Sequence, residues 1–330
     1  MRKTSAAMTL CMVLAGTVLS HGNPGHEVTI AELNAQIQQT PNLPELYFQR
    51  AWNYREIGRL EDARADWEKT LQVSPGFLPA SRELARADGA AGKVDIGIAR
   101  LRQAMTAAPS DQTFHLPGCH SVLAELLLKQ GKNEDALQEA QTGLDRAPDL
   151  LLDLCLLRSE AQRRLGRLDD RVKDLAATML KLKSFVVKTK WFDAMIDDGR
   201  GAEILAEIEG ELANTRYQAS WLIRRARIRQ YAGDTAQAEA DLTTAMQEIT
   251  SRLRPDNPDL SLLCDRGIIH YLMGDRAAAD ADLALGRSQG ADFWMTLPLE
   301  AFLAAKSPPP KLGSALDAPS GENSGHGNRK

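Results

Sequence analysis

Small and bulky apolar residues alternate along this chain with a helical period, and the alternation restarts roughly every 34 residues. The stretch from Pro44 to Pro75 sets the pattern, reading as two short amphipathic helices around a Gly58-Arg59 turn. A glycine followed by a charged residue recurs at Gly92-Lys93, Gly131-Lys132, Gly166-Arg167, Gly199-Arg200, Gly233-Asp234 and Gly274-Asp275. Seven residues before these glycines stand Ala51, Ala85, Ala124, Ser159, Phe192, Ala226 and Gly267. Five after come Ala63, Gly97, Ala136, Arg171, Ile204, Ala238 and Ala279, and nine after come mostly large knobs such as Trp67, Leu101 and Leu242. Two helices cross closely only where one of them lacks bulk, so these phases predict helix pairs folded back on each other. Pro75, Pro109 and Pro148 fall seventeen after the first three glycines, where proline ends the second helix.

The small-residue, glycine-turn and terminal-proline positions make the span from Pro44 to Ser288 resemble the tetratricopeptide repeat family. The resemblance implies an all-α superhelix, a solenoid of about seven helix-turn-helix repeats, with an interaction groove on its concave face. Arg171, Phe192 and Ile204 depart from the small-residue rule, so the fourth and fifth repeats are expected to pack irregularly, with the fifth turn at Gly199 or Gly201. Val28–Thr40 carries Ile30, Leu33 and Ile37 on one face and caps the N-terminal end. The apolar segment around Phe293, Trp294, Leu299, Phe302 and Leu303 closes the other, because a terminal repeat must have its exposed end covered.

Comparing the repeats with one another yields a charge rule. Eight residues before the glycine is arginine in four repeats, and in each the residue eight after it is aspartate. The pairs are Arg50/Asp66, Arg158/Asp174, Arg225/Asp241 and Arg266/Asp282, expected as structural ion pairs between the two helices of a repeat. The open face of the first helices is expected to carry Phe48, Trp52, Arg55, Arg82, Arg86 and Glu125, and by the resemblance this face takes a protein or peptide partner. Phe48 and Trp52 either anchor that partner or pack beneath the N-terminal helix. The paired lysines and asparagines with which some members of the family clamp a C-terminal carboxylate are not matched.

Composition changes the picture at the ends. Residues 1–20 begin with Arg2 and Lys3, continue with an apolar run from Ala6 to Leu19 and read as a secretory signal peptide. The run is too short for a membrane span, so export to a periplasm or the extracellular space is expected. Removing Arg2 and Lys3 takes the formal charge from −4 to −6, a balance that argues against a nucleic-acid binder. Residues 21–27, with His21 and His26, read as a flexible leader, residues 28–304 as the solenoid and 305–330 as a disordered tail rich in Pro, Gly, Ser and Asn. A basic run from Arg158 to Lys190 reads as solvated faces in preference to a patch for an acidic partner.

Candidate chemistry is sparse. No glycine-rich phosphate loop, GxSxG, HExxH or CxxC motif occurs, so the chain reads as no enzyme and needs no cofactor. His115, Cys119 and His120 are the one cluster of soft ligands, short of a fourth donor, and more in keeping with a helix start than with a metal site. Cys119, Cys155 and Cys264 read as buried thiols, with a bridge between the first two left open. The functional expectation is a non-catalytic interaction scaffold. Its rival is a periplasmic accessory protein that binds metal or a small ligand through the leader histidines and the His115/Cys119/His120 cluster.

Overall fold

The structure, a computed structural model, describes residues 24–305 except 148, 150, 255 and 292. The signal-peptide segment, His21, Pro148 and residues 306–330 of the expected tail therefore lie outside the described residues. The chain divides into two units, residues 1–165 and 166–330, parted at the turn of the fourth repeat. The first unit holds α1 (Pro24–Gln39), α2 (Pro44–Glu56), α3 (Leu60–Val73), α4 (Leu78–Ala90), α5 (Val94–Thr106), α6 (Leu116–Lys129), α7 (Asn133–Arg146) and α8 (Leu152–Arg164). The second holds α9 (Leu168–Leu182), α10 (Phe185–Asp197), α11 (Gly201–Asn214), α12 (Ala219–Tyr231), α13 (Thr235–Arg252), α14 (Leu260–Leu272), α15 (Arg276–Ser288) and α16 (Phe293–Ala304). Among the described residues there is no strand. The fold is all-α, and its helices alternate as first and second members of the expected pairs.

The turns follow from one backbone requirement. The seven glycines have φ between +70° and +90°, a region that costs a residue with a Cβ but not glycine. The N–H of the following residue then reaches back to a carbonyl five positions earlier, as in Arg59 to Tyr54 (2.8 Å), Arg200 to Met195 (2.8 Å) and Asp275 to His270 (2.8 Å). This settles the fifth turn at Gly199. Gly201 instead opens α11, where a Cβ would meet Ile228 at 2.8 Å.

Helix pairs meet at the small positions. Ala51, Ala63, Ala85, Ala124, Ala136, Ala226, Ala238 and Ala279 are all fully buried. At Gly97 the approach is closest to the backbone: a Cβ there would lie 2.6 Å from the carbonyl oxygen of Ala85. In the fifth repeat the bulky Phe192 and Ile204 are themselves buried, and Phe192 meets Trp221 edge-on at 5.3 Å between ring centres. The irregular repeat is filled by an aromatic pair in place of a close crossing.

The ends are covered as the apolar pattern requires, with one shifted boundary. The N-terminal helix begins at Pro24, so residues 24–27 are helical and not a flexible leader. Proline at a first helical position forfeits no hydrogen bond, and His26 Nδ1 lies 2.8 Å from Asn53 Oδ1 of α2. Ile30 and Leu33 are buried, and at the other end Leu297, Leu299 and Leu303 of α16 are buried, each contributing roughly 1.5–3 kcal/mol.

Charged contacts tie first to second helices. Arg50 donates to Asp66 through Nε and Nη2 (both 2.7 Å), Arg225 to Asp241 (2.9 and 2.7 Å) and Arg266 to Asp282 (2.9 and 2.5 Å). The members of the fourth predicted pair belong to different units, Arg158 to the first and Asp174 to the second. In the second repeat the sense reverses: Arg100 of α5 reaches Asp88 of α4 at 3.0 Å, and Arg64 of α3 meets the same fully buried carboxylate at 2.7 Å. His120–Glu139 (2.7 Å) and Lys188–Glu211 bridge the third and fifth repeats. The basic run is accordingly not simply solvated: Arg163 and Arg164 grip the buried Glu160, and Arg171 is itself buried, 2.6 Å from Asp197.

Two expected outcomes follow. Gly97→Ala should destabilise the protein by about 1–3 kcal/mol, because the Ala85 carbonyl is backbone and has nowhere to go. Gly210→Ala on the exposed face of α11, with nothing within 4 Å of its Cβ, should stabilise by about 0.5–1 kcal/mol; urea unfolding of both variants compares them. Arg50→Asp should cost about 3 kcal/mol by leaving Asp66 buried without its cation, and adding Asp66→Arg should recover half or more. A double variant no more stable than the single one would show that the pair is not what joins α2 to α3.

Candidate functional site

The first helices α2, α4, α6, α8, α10, α12 and α14 each place two repeat positions, nine and six residues before the turn glycine, on one face. In the first unit these are Gln49/Trp52, Glu83/Arg86, Val122/Glu125 and Leu157/Glu160; in the second, Lys190/Asp193, Arg224/Arg227 and Asp265/Ile268. Three residues apart on a helix means one face. Most of these positions are polar, in a family of positions where the opposite faces are Ala and Leu.

In the first unit the face centres on Glu83, a buried carboxylate. It accepts from Arg55 Nη1 of α2 (3.1 Å), from Arg82 Nε (2.9 Å) and from Arg86 Nη1 (3.4 Å). Arg55 also donates to Glu56 at 2.9 Å. Three guanidiniums thus surround one buried acid, and Arg86, 46% exposed, is held by a single long contact. A guanidinium offers five N–H donors, so donors remain for an incoming acceptor. Trp52 stands beside them, 45% exposed, with the Arg55 guanidinium 5.7 Å from its ring centre and the His26 ring 6.0 Å away.

The structure thus brings Arg55, Arg82, Arg86 and Trp52 together. Phe48 turns inward, its ring 5.3 Å from Phe77 and packed on the cluster formed by Ala51, Ala63, Trp67, Ala80 and Leu84. Glu125 lies on the same face of α6 and receives Lys129 at 2.8 Å. The soft-ligand candidates are separately employed. His120 Nδ1 is turned to Glu139, His115 stacks on Phe114 with ring centres 3.8 Å apart, and burial pushes the Cys119 thiol up to about 11. Burial, helped by the nearby Arg82, pushes His115 toward its neutral form. Among the described residues no group of three His, Cys, Asp or Glu side chains is disposed to hold a metal ion. Cys119, Cys155 and Cys264 are buried, and none of the three is in a disulfide.

In the second unit the same face carries a charge network absent from the predicted site. Arg224 grips Asp193 with two bonds of 3.0 Å. Arg227 bridges Asp193 (3.3 Å) and Asp197 (2.5 Å), and the Phe302 ring of α16 lies 5.1 Å from its guanidinium carbon. Burial opposes ionisation of Asp193, but the charges of Arg224 and Arg227 outweigh it and hold the carboxyl below its usual range. Asp265 of α14 differs. It has no hydrogen bond or ion pair among the described residues, and burial pushes it up to about 6, against Arg224 and Lys190 and abetted by the negative charges of Asp193 and Asp259. Trp52, Arg86 and Glu125 of the expected open face stand six residues before their turn glycines, as Asp193 and Arg227 do in the second unit; that shared spacing, with the polarity recurring nine before, was the available signal.

A raised carboxyl has a definite sign. The folded chain binds the Asp265 proton more tightly than the unfolded chain, whose value is near 3.8, so this group's contribution to stability is full below pH 4 and lost as pH rises through 6. Asp265→Asn should therefore melt above the parent at pH 8, by about 1–3 kcal/mol in stability, with the difference vanishing near pH 4. Melting curves at the two pH values decide it; an equal shift at both would mean that Asp265 is not the ionisation responsible.

No protein-family model matches the chain. Over 166 residues, 49% of this chain, it is 30% identical to the tetratricopeptide repeat and J domain-containing co-chaperone DNJ1 of Fusarium oxysporum f. sp. lycopersici, and it spans 31% of that protein's length. A tetratricopeptide repeat protein of Parabacteroides merdae shares the fold with a TM-score of 0.56 at 17% identity, over 79% of this chain and 99% of that one. Yeast Tom70 does so with a TM-score of 0.50 at 12% identity, over 85% of this chain and 58% of its own. No helix among the described residues is long and apolar enough to cross a membrane. With its glycine turns, buried small-residue crossings and these structural neighbours, the chain has a tetratricopeptide-repeat-like fold.

Proposed function

We propose that the protein is a non-catalytic interaction scaffold that docks an extended peptide or a helix of a protein partner on its first-helix face, the concave face of the expected superhelix. The observation that carries the reading is the surplus of cations around Glu83: Arg55, Arg82 and Arg86 on consecutive first helices, beside the half-exposed ring of Trp52. A buried acid fixes the arginines in place, so their remaining donors are ordered before a partner arrives, and ordering in advance lowers the cost of binding. Arginine and tryptophan are also the side chains on which interface energy concentrates. Folds of this type generally serve protein–protein interaction, and the tetratricopeptide segment of the fungal relative belongs to a co-chaperone, in keeping with a polypeptide ligand. The absence of a catalytic motif from the sequence supports a role in binding.

The N-terminal basic and apolar segment supports export, with the scaffold acting in a periplasm or outside the cell.

A photo-activatable amino acid placed at Arg86 in the native host should capture a protein partner that the same residue at the exposed Glu61 of α3 does not. With that partner purified, Trp52→Ala or Arg86→Glu should weaken binding at least tenfold, about 1.4 kcal/mol, while Phe48→Leu leaves it within about twofold. Capture from α3 and not from α4 would place the interface on the other side of the repeat and end this reading.

A further inference from the structure

The polar positions of the second unit form a ladder with one rung incomplete. The fifth repeat presents Lys190 and Asp193, the sixth Arg224 and Arg227, the seventh Asp265 and Ile268. Asp193 is satisfied by the repeat that follows it, since Arg224 and Arg227 both come from α12. Asp197 is satisfied likewise by Arg227 and from behind by Arg171 of α9. Asp265 sits on the last first helix, and α16 follows where an eighth repeat would supply a cation. The closing helix brings Phe302, which lies over Arg227 and 5.7 Å from Tyr271, and no basic side chain for Asp265.

The surrounding charges are otherwise accounted for. Arg224 is committed to Asp193 through both arms of its fork. Asp259 caps α14 by accepting from the N–H groups of Ser261 (3.0 Å) and Leu262 (3.2 Å). On the elements packed behind α14, Asp282 of α15 holds Arg266 and lies 4.0 Å from His270, and Glu300 of α16 holds Arg287. Lys190 acts on Asp193 and Asp265 as a charge from α10. A half-buried carboxylate without a bonded cation weakens the folded state, and groups retained at such a cost are characteristic of binding sites.

We propose that Asp265 is the receptor for a basic side chain, the ammonium of a lysine or the guanidinium of an arginine, carried by the polypeptide that docks on the first-helix face. This deepens the proposed function and rests on it. The bound cation takes the place that an eighth repeat would have filled, and it favours the ionised carboxylate, so affinity rises as pH passes upward through about 6. Arg224 and Lys190 keep the site from being a general cation trap: a lone inorganic cation meets their repulsion, whereas a peptide gains backbone and side-chain contacts as well.

A library of random twelve-residue synthetic peptides, selected in parallel on the full chain and on its Asp265→Asn variant at pH 7.5, tests this. Peptides selected on the parent chain should carry lysine or arginine at one recurrent position and bind it at least tenfold tighter than the variant. The ratio should fall below threefold at pH 5, where the carboxyl is protonated. Asp265→Asn exchanges one small planar group for another and is checked by its melting curve; Asp265→Glu should recover part of the lost affinity. Selected peptides without a recurrent base, or with equal affinity for parent and variant, would overturn the role of Asp265 while leaving the docking face intact. Failure to select any peptide would overturn both.

Discussion

Everything in this fold depends on bringing two helix backbones close enough for a short turn to join them. That demand falls on two positions per repeat, and at Gly97 the distance to the Ala85 carbonyl oxygen leaves no room even for a methyl group. Alanine fills most of the other crossing positions, and larger residues stand there only in the fourth and fifth repeats. Once the crossing is fixed, the knobs nine residues after the turn, such as Trp67 and Leu101, have one place to go, and the polar positions of the first helix have one face on which to emerge. The first-helix face is thus a by-product of the crossing geometry, and its chemistry is free to vary from repeat to repeat.

Electrostatics completes what packing begins. In three repeats an arginine of the first helix forks onto an aspartate of the second. Where that arginine is missing, another basic side chain does the work: Arg100 on Asp88, His120 on Glu139, Lys188 on Glu211. Partly buried pairs of this kind add little net energy over apolar substitutes but penalise alternative registers, because a shifted helix would strand a carboxylate.

Much of this was legible in the sequence, for reasons specific to each residue. A turn glycine in the left-handed region and a small residue at a crossing are local requirements, so Gly58 and Ala63 announce themselves by spacing alone. Arg50 and Asp66 could be paired because they recur together three further times. Glu83 could not be read as the centre of a site, since its three arginines come from two different helices and its burial depends on both. Arg171 looked like a violation of the small-residue rule, and Asp197 on the neighbouring helix, 2.6 Å away, gives its buried charge a partner. Helix α1 began four residues early because His26 has a partner in Asn53, 27 positions away, which no local pattern can show.

One contact at the far end has its own consequence. Gly267 occupies the crossing position of the last pair, and a Cβ there would collide first with Leu299 of α16, at 2.5 Å, ahead of Asp282 on its own partner helix at 3.3 Å. The closing helix is therefore plugged into a notch carved at the seam of the terminal repeat. Such a plug makes the array finite: while Leu299 is seated, no further helix pair, from this chain or a neighbouring copy, can stack there. Loss of the plug would turn the terminus into an adhesive end, and end-to-end polymers would be the form in which that failure showed itself.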